Sequence, residues 1–170
     1  LDMGCGSGRT LELALMKGFE VIGIDNDPEM IELSLKKTDA YKEKARLIQK
    51  DFLSLDLNQN VIGTVTFLAN TFSLILEKNN RIELLKNIYK WLKQNGNLLI
   101  IVKNNNIDPI NFRKTEIQTE DGKLEFKISW DENFLKKIRH YSLNFLLNGK
   151  QVESNDFDTA LLQRAEFEEE

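Results

Sequence analysis

One cysteine, one histidine and two prolines in 170 residues remove several kinds of protein at once. Cys5 has no second thiol to pair with, so there is no internal disulfide framework, and a reducing compartment fits. His140 alone supplies neither the paired imidazoles of a zinc site nor the material for a serine triad. It lies beside Tyr141 in an alternating segment and reads as a strand residue rather than a general base, and no metal is expected. The longest apolar run, Leu98 to Val102, is far short of the about 18 residues that a membrane helix needs. No basic stretch followed by an apolar one opens the chain, so no secretory signal is read and a cytoplasmic protein is expected. Basic runs are missing too. Lys plus Arg number 23 against 27 Asp plus Glu, a net charge of −4, which gives no electrostatic footprint for nucleic acid or an anionic membrane.

What is present is an ordinary globular composition, 41% hydrophobic and 29% charged, sized for one domain with one core. Apolar periodicity places a helix over Thr10 to Lys17, closed by Gly18 as a left-handed C-terminal residue. A β-branched run, Glu20 to Asp25, reads as a buried strand. Asn26 or Asp27 then caps a helix with Pro28 in its first turn. Further strands are expected within Ala45 to Lys50, Thr64 to Ala69 and Asn97 to Lys103. A helix over Arg81 to Lys93 presents Ile82, Leu85, Ile88, Tyr89 and Leu92 as one apolar stripe. Alternating strands and helices are the pattern of an α/β fold with a mainly parallel sheet and flanking helices.

After Asn104-Asn105-Asn106 the pattern changes to partial period-2 alternation over Asn111 to Glu120, Leu124 to Trp130 and Phe134 to Leu147. Asp121-Gly122 and Asn148-Gly149 are hairpin dipeptides, so antiparallel strands are expected here. Asp158 or Thr159 is read as the cap of a helix beginning at Ala160. The chain opens directly on a glycine-rich loop and closes on Glu168-Glu169-Glu170. It is therefore expected to be part of a longer protein, and less stable alone than its parent.

The informative stretch is Asp2-Met3-Gly4-Cys5-Gly6-Ser7-Gly8. Glycines at 4, 6 and 8 allow a tight turn and a close ligand approach, and the helix behind them points N–H groups at lone pairs or negative charge. A dinucleotide turn wants glycine at position 9, where Arg9 stands, and the Gly-Lys-Ser/Thr of a triphosphate loop is missing. Asp2, Asp25 and Asp51 each fall at the end of a successive parallel strand, so three carboxylates reach the carboxyl edge, where open α/β sheets bind ligands. Such a set suits a cationic ligand with hydroxyls and an exocyclic amine.

These pieces, together with Pro28-Glu29-Met30, Asp51-Phe52, Asn70-Thr71-Phe72 and the Leu92-to-Gly96 helix end, resemble the class I S-adenosylmethionine-dependent methyltransferases, over residues 1 to 103. The resemblance implies a Rossmann-like core and S-adenosylmethionine as cofactor. Asp2 with the backbone of Gly4, Cys5 and Gly6 would hold the aminocarboxypropyl group. Asp25 would take the ribose hydroxyls, with Asn26 and Met30 along the adenosine. Asp51 and the Phe52 backbone would meet the adenine, and Ala69 and Asn70 would sit near the sulfonium and the acceptor. The division implied is a cofactor-binding core over 1–106 with its first strand largely missing, an antiparallel substrate-side insertion over 107–157, and the start of a truncated core helix over 158–170. Methyl transfer to a small-molecule acceptor follows, with Phe112, Trp130, Tyr141 and Phe145 as aromatic candidates for the acceptor pocket and no assigned general base. Other readings share the fold. Asp25 alone is also a possible helix cap, Asp51 a turn carboxylate, Asn70 a turn residue, Met30 a core residue and Gly23 a site of close backbone packing. The whole chain is also compatible with a non-catalytic S-adenosylmethionine-binding module or inactive partner subunit; an NAD site is disfavoured by Arg9.

Overall fold

The computed structural model describes residues 1–103 and 112–162. It divides into two compact units, Leu1–Phe72 with Glu77–Val102, and Ser73–Leu76 with Lys103–Glu170.

The first unit is built on five parallel strands: β1 (Asp2–Met3), β2 (Val21–Asp25), β3 (Ala45–Gln49), β4 (Ile62–Phe67) and β5 (Leu92–Ile100), in the order β3-β2-β1-β4-β5. Three helices connect them: α1 (Arg9–Met16), α2 (Pro28–Thr38) and α3 (Lys78–Trp91). Strand β1 is only two residues long, yet it is central, with Asp2 opposite Gly23 on one side and Thr66 on the other. Strand order reverses between β1 and β4, which is the switch point where open α/β sheets form a ligand crevice.

Local chemistry explains most boundaries. Helix α1 ends in a Schellman motif: Gly18 N–H donates to Leu15 O and Phe19 N–H to Ala14 O, with Gly18 at φ +88°. Asp27, of the two expected candidates, caps α2, its carboxylate accepting from the N–H groups of Glu29 and Met30. Helix α3 is rotated slightly from the expected stripe. Arg81, Leu84, Ile88 and Trp91 are buried, while Tyr89 is 82% exposed. Trp91 and Leu84 together offer more apolar area than Tyr89 and Leu92, and the same 3.6-residue period accommodates either set. Phe52, Phe67 and Phe72 interlock edge-on, with centroids 5.8 and 5.1 Å apart.

The second unit contains a four-stranded antiparallel sheet, β6 (Phe112–Thr119), β7 (Gly122–Asn133), β8 (Ile138–Leu147) and β9 (Lys150–Ala160), in sequential order. Asn148 and Gly149, at φ +51° and +81°, make the expected two-residue turn. At the other hairpin the register differs by one residue: Thr119 pairs with Gly122, so Glu120 and Asp121 form the turn and Gly122 begins β7. A third turn divides the expected segment Phe134 to Leu147. It carries no Gly or Pro; Asn133 accepts from the Lys136 N–H, and Lys137 takes φ +53°.

The expected helix at Ala160 is also corrected. Asp158 and Thr159 are not caps, because their backbones pair with His140 and Arg139 within β9. Positions 104–111 and 163–170, with the later part of that expected helix, lie outside the described residues.

Alternation gives this sheet two chemical faces. Phe126, Trp130, Tyr141, Phe145 and Phe157 share one, with Trp130 and Tyr141 rings 5.9 Å apart and Tyr141 stacked on Phe157 at 5.0 Å. Arg139 is buried on that face, held by Glu132 and by Tyr141 Oη. The opposite face carries Lys114, Glu116, Lys123, Glu125 and Lys127, and the row Asp131–His140–Asp158.

Two tests follow from the packing. A Cβ at Gly23 would lie 2.5 Å from Leu11 Cδ1, 2.8 Å from Leu47 Cδ2 and 2.9 Å from Cys5 Sγ. Gly23→Val is therefore expected to destabilise the protein by about 1–3 kcal/mol, read as a lower urea midpoint. His140 Nδ1 lies 2.7 Å from Asp158 Oδ1, and this hydrogen bond, helped by the charges of Asp158, Asp156 and Asp131, raises the imidazole pKa above its ordinary value. The stabilisation is complete below the unfolded value of about 6.5 and is lost as pH rises through the higher folded value. Melting temperature measured against pH should show that loss in the wild type and not in His140→Gln.

Candidate functional site

At the end of β1 the chain reverses through Gly4, Gly6 and Gly8, all at positive φ (+72°, +52° and +78°). The N–H groups of Gly4 and Cys5 both donate to Ile24 O, at 2.8 and 2.9 Å, which fastens the start of the loop to β2. Asp25, the last residue of β2, holds the middle. Its Oδ2 accepts from Gly6 N–H at 2.8 Å and its Oδ1 from Asp27 N–H at 3.1 Å. Asp25 is thus not the helix cap; it bridges the glycine loop and the entry to α2. A carboxylate has about four lone-pair positions, so two remain for hydroxyl donors.

Two glycines are fixed by their neighbours. A Cβ at Gly4 would lie 2.4 Å from Thr71 Cγ2, and one at Gly8 would lie 2.4 Å from Ser34 Oγ and 3.1 Å from Ser34 Cα. Gly6 differs, since nothing lies within 4 Å of the position its Cβ would take. The loop is therefore wedged between Thr71 and Ser34 at its ends and faces open space at its centre. That is the shape a ligand lying against the backbone requires.

The remaining expected residues fall on the same edge, with one qualification. Asp51 follows β3 and caps a 3-10 turn, Phe52–Ser54, by accepting from Leu53 N–H at 2.8 Å. The Phe52 ring packs on Phe67. Asn26 is exposed at the end of β2, and Met30 is half-buried in the first turn of α2. Ala69 and Asn70, at φ +50° and +70°, come just past β4, after Leu68, and adjoin Thr71. Asp2 is the qualification. It is buried, it accepts from Thr66 Oγ1 at 2.7 Å, and burial, reinforced by the charge of Asp25, raises its pKa. Its carboxylate is already engaged inside the sheet, and it also lines a cavity of about 760 Å³ at the opposite edge, between the starts of β2 and β4. The glycine loop, Asp25 and Asp51 lie at the carboxyl ends of β1, β2 and β3, the edge at which open α/β sheets bind ligands.

Cys5 is buried beneath the loop, and burial first, then the charges of Asp25 and Asp2, push its thiol up to about 12, so it is no nucleophile. Sequence reasoning gave no role to Thr71, Ser34 or Thr66. Ser and Thr carry no signal of packing against a glycine, and only the tertiary structure brings them there.

A family model described as a methyltransferase domain matches residues 1–96. A carboxy-S-adenosyl-L-methionine synthase from Nautilia profundicola is 30% identical over 145 residues, covering 81% of this chain and 60% of that protein. Among solved structures, the CcbJ methyltransferase from Streptomyces caelestis superposes with a TM-score of 0.83 at 18% identity, over 98% of this chain and 67% of that one. The S-adenosylmethionine-bound CalS10, an amino pentose methyltransferase from Micromonospora echinaspora, gives 0.80 at 17%, over 99% and 70%. The chain thus spans about 60% of the length of the curated relative it matches.

Removing the Asp25 carboxylate should expose its role without any ligand. In Asp25→Ala the amide protons of Gly6 and Asp27 are expected to exchange faster by about tenfold, the equivalent of one lost hydrogen bond of about 1.4 kcal/mol. Glu29, whose N–H is held by Asp27, should be unchanged; equal acceleration at all three would mean that α2 as a whole had loosened.

Proposed function

The chain belongs to the class I S-adenosylmethionine-dependent methyltransferases, and on that footing we propose that it transfers the methyl group of S-adenosylmethionine to a small-molecule acceptor. The observation that carries the proposal is the glycine loop held by Asp25, with open space at Gly6. The cofactor supplies a methyl carbon that its sulfonium has already activated for displacement. What the chain must add is binding, alignment and exclusion of water. Reacting atoms held at about 3–3.5 Å gain most of the required acceleration from orientation.

The backbone of Gly4, Cys5 and Gly6 receives the aminocarboxypropyl group, and the two unused acceptor positions of Asp25 take the ribose hydroxyls. Asn26 and Met30 lie along the adenosine. Asp51, fixed by its own turn, accepts from the adenine amine while the Phe52 backbone meets the ring. Ala69 and Asn70 lie near the methyl donor and the acceptor. Asp2 accepts from Thr66 Oγ1 and keeps acceptor positions for the amino group of the aminocarboxypropyl part. The antiparallel sheet selects the acceptor. A small acceptor fits the relatives: one is named for making carboxy-S-adenosyl-L-methionine and another for methylating an amino pentose. His140, engaged with Asp158, is not assigned as a base.

Calorimetric titration tests the cofactor reading. S-adenosylmethionine should bind the wild-type protein, Asp25→Ala should bind at least about tenfold more weakly, and NAD should not bind. A folded wild-type protein that binds neither ligand, or binds NAD in preference, would overturn it.

A further inference from the structure

The turn after β4 carries two consecutive residues other than glycine in the left-handed region, Ala69 at φ +50° and Asn70 at φ +70°. An L-residue there crowds its Cβ against the following carbonyl oxygen, so such a pair costs free energy and persists only where its surroundings fix it. Here they do. Asn70 N–H donates to Ile101 O at 3.2 Å, and Ile101 N–H to Phe67 O at 2.8 Å. Leu68 O accepts twice from Thr71, from its N–H at 3.0 Å and from its Oγ1 at 2.7 Å. Phe72 closes the turn, fully buried, with its ring centroid 5.1 Å from that of Phe67. These contacts fix both the backbone and the side-chain rotamer of Thr71. The consequence falls on Gly4. A Cβ there would collide with Thr71 Cγ2, while Thr71 Oγ1 would lie 3.2 Å from it. The methyl group of Thr71 therefore fills the place of a Gly4 side chain, and its hydroxyl, turned to Leu68, holds it there.

We propose that Thr71 is a positioning residue for the cofactor, an inference that rests on the reading that the glycine loop receives S-adenosylmethionine. Its methyl group braces Gly4 from the β4 side, as Ile24 O holds the Gly4 and Cys5 N–H groups from the β2 side. The strained pair Ala69 and Asn70 turns the chain so that this brace meets the loop. Two groups on one side chain divide the work: the hydroxyl supports the turn, and the methyl sets the loop. Affinity for the cofactor and stability should therefore separate between two replacements of nearly the same shape.

Calorimetric titration with S-adenosylmethionine, paired with urea unfolding of the same intact variants, tests this. Thr71→Ser keeps the bond to Leu68 O and removes the methyl; a loop no longer held in advance should bind about five- to tenfold more weakly. Thr71→Val keeps a methyl against Gly4 and loses the hydroxyl; it should unfold at lower urea yet bind within about twofold of the wild type. A merely structural Thr71 would make affinity follow the urea midpoint in both. The methyl can also be moved. Gly4→Ala alone meets Thr71 Cγ2, whereas Gly4→Ala joined to Thr71→Ser returns a methyl to the vacated space. The double variant should bind more tightly than Gly4→Ala alone, and because both carry the added Cβ at φ +72°, that strain cancels in the comparison. Thr71→Ser binding as tightly as the wild type, Thr71→Val binding as weakly as Thr71→Ser, or a double variant no better than Gly4→Ala would each overturn this inference alone. A folded wild-type protein that binds no S-adenosylmethionine would overturn the cofactor reading and this inference with it.

Discussion

One carboxylate organises the carboxyl edge of the parallel sheet. Asp25 ends β2, accepts from Gly6 N–H with one oxygen and from Asp27 N–H with the other, and so joins the glycine loop, the central sheet and the start of α2 at a single point. The rest of the edge depends on that joint. Gly4 and Gly8 must lack side chains because Thr71 and Ser34 press on them, while at Gly6 nothing lies within 4 Å of the position a Cβ would take. The N–H groups of Gly4, Cys5 and Gly6 already donate to Ile24 and Asp25, so the loop is ordered in advance, which is what preorganisation means for affinity.

Charge placement divides the labour among the three aspartates. Asp51 and Asp25 are positioned by backbone N–H groups at strand ends, where carboxylates retain acceptor capacity. Asp2 is enclosed, with Thr66 as partner and its pKa raised by burial. An ionised carboxylate kept there lowers stability, since burial disfavours the charged form. It lies on the face of the sheet that Asp25 shares.

Much of this was legible in the residues. The alternation of β-branched runs with helical periods gave the parallel sheet. Gly18, Asp27, Asn148 and Gly149 do what their chemistry demands at their positions, and the order of Asp25, Asp51 and Asn70 along the chain placed the edge. Local chemistry misled elsewhere. Asp158 and Thr159 have good capping side chains, but cross-strand pairing with His140 and Arg139 claims their backbones. The turn after Asn133 was invisible because it uses Lys137 at positive φ, and a lysine carries no turn signature. Ser34 and Thr71, which wedge the loop, could not be read at all, since their roles arise only from residues far away in sequence.

The central claim is that the Asp25-held glycine loop is where S-adenosylmethionine binds. Residue-resolved amide hydrogen exchange of the intact chain, with and without S-adenosylmethionine, tests it most directly. The account requires added protection concentrated at Gly4 to Gly8, Asp25 to Met30 and Asp51 to Leu53, with none at Val21, Ile22 or Gly63 beside the cavity at the opposite edge. Protection confined to that opposite edge, with the glycine loop unchanged, would contradict it.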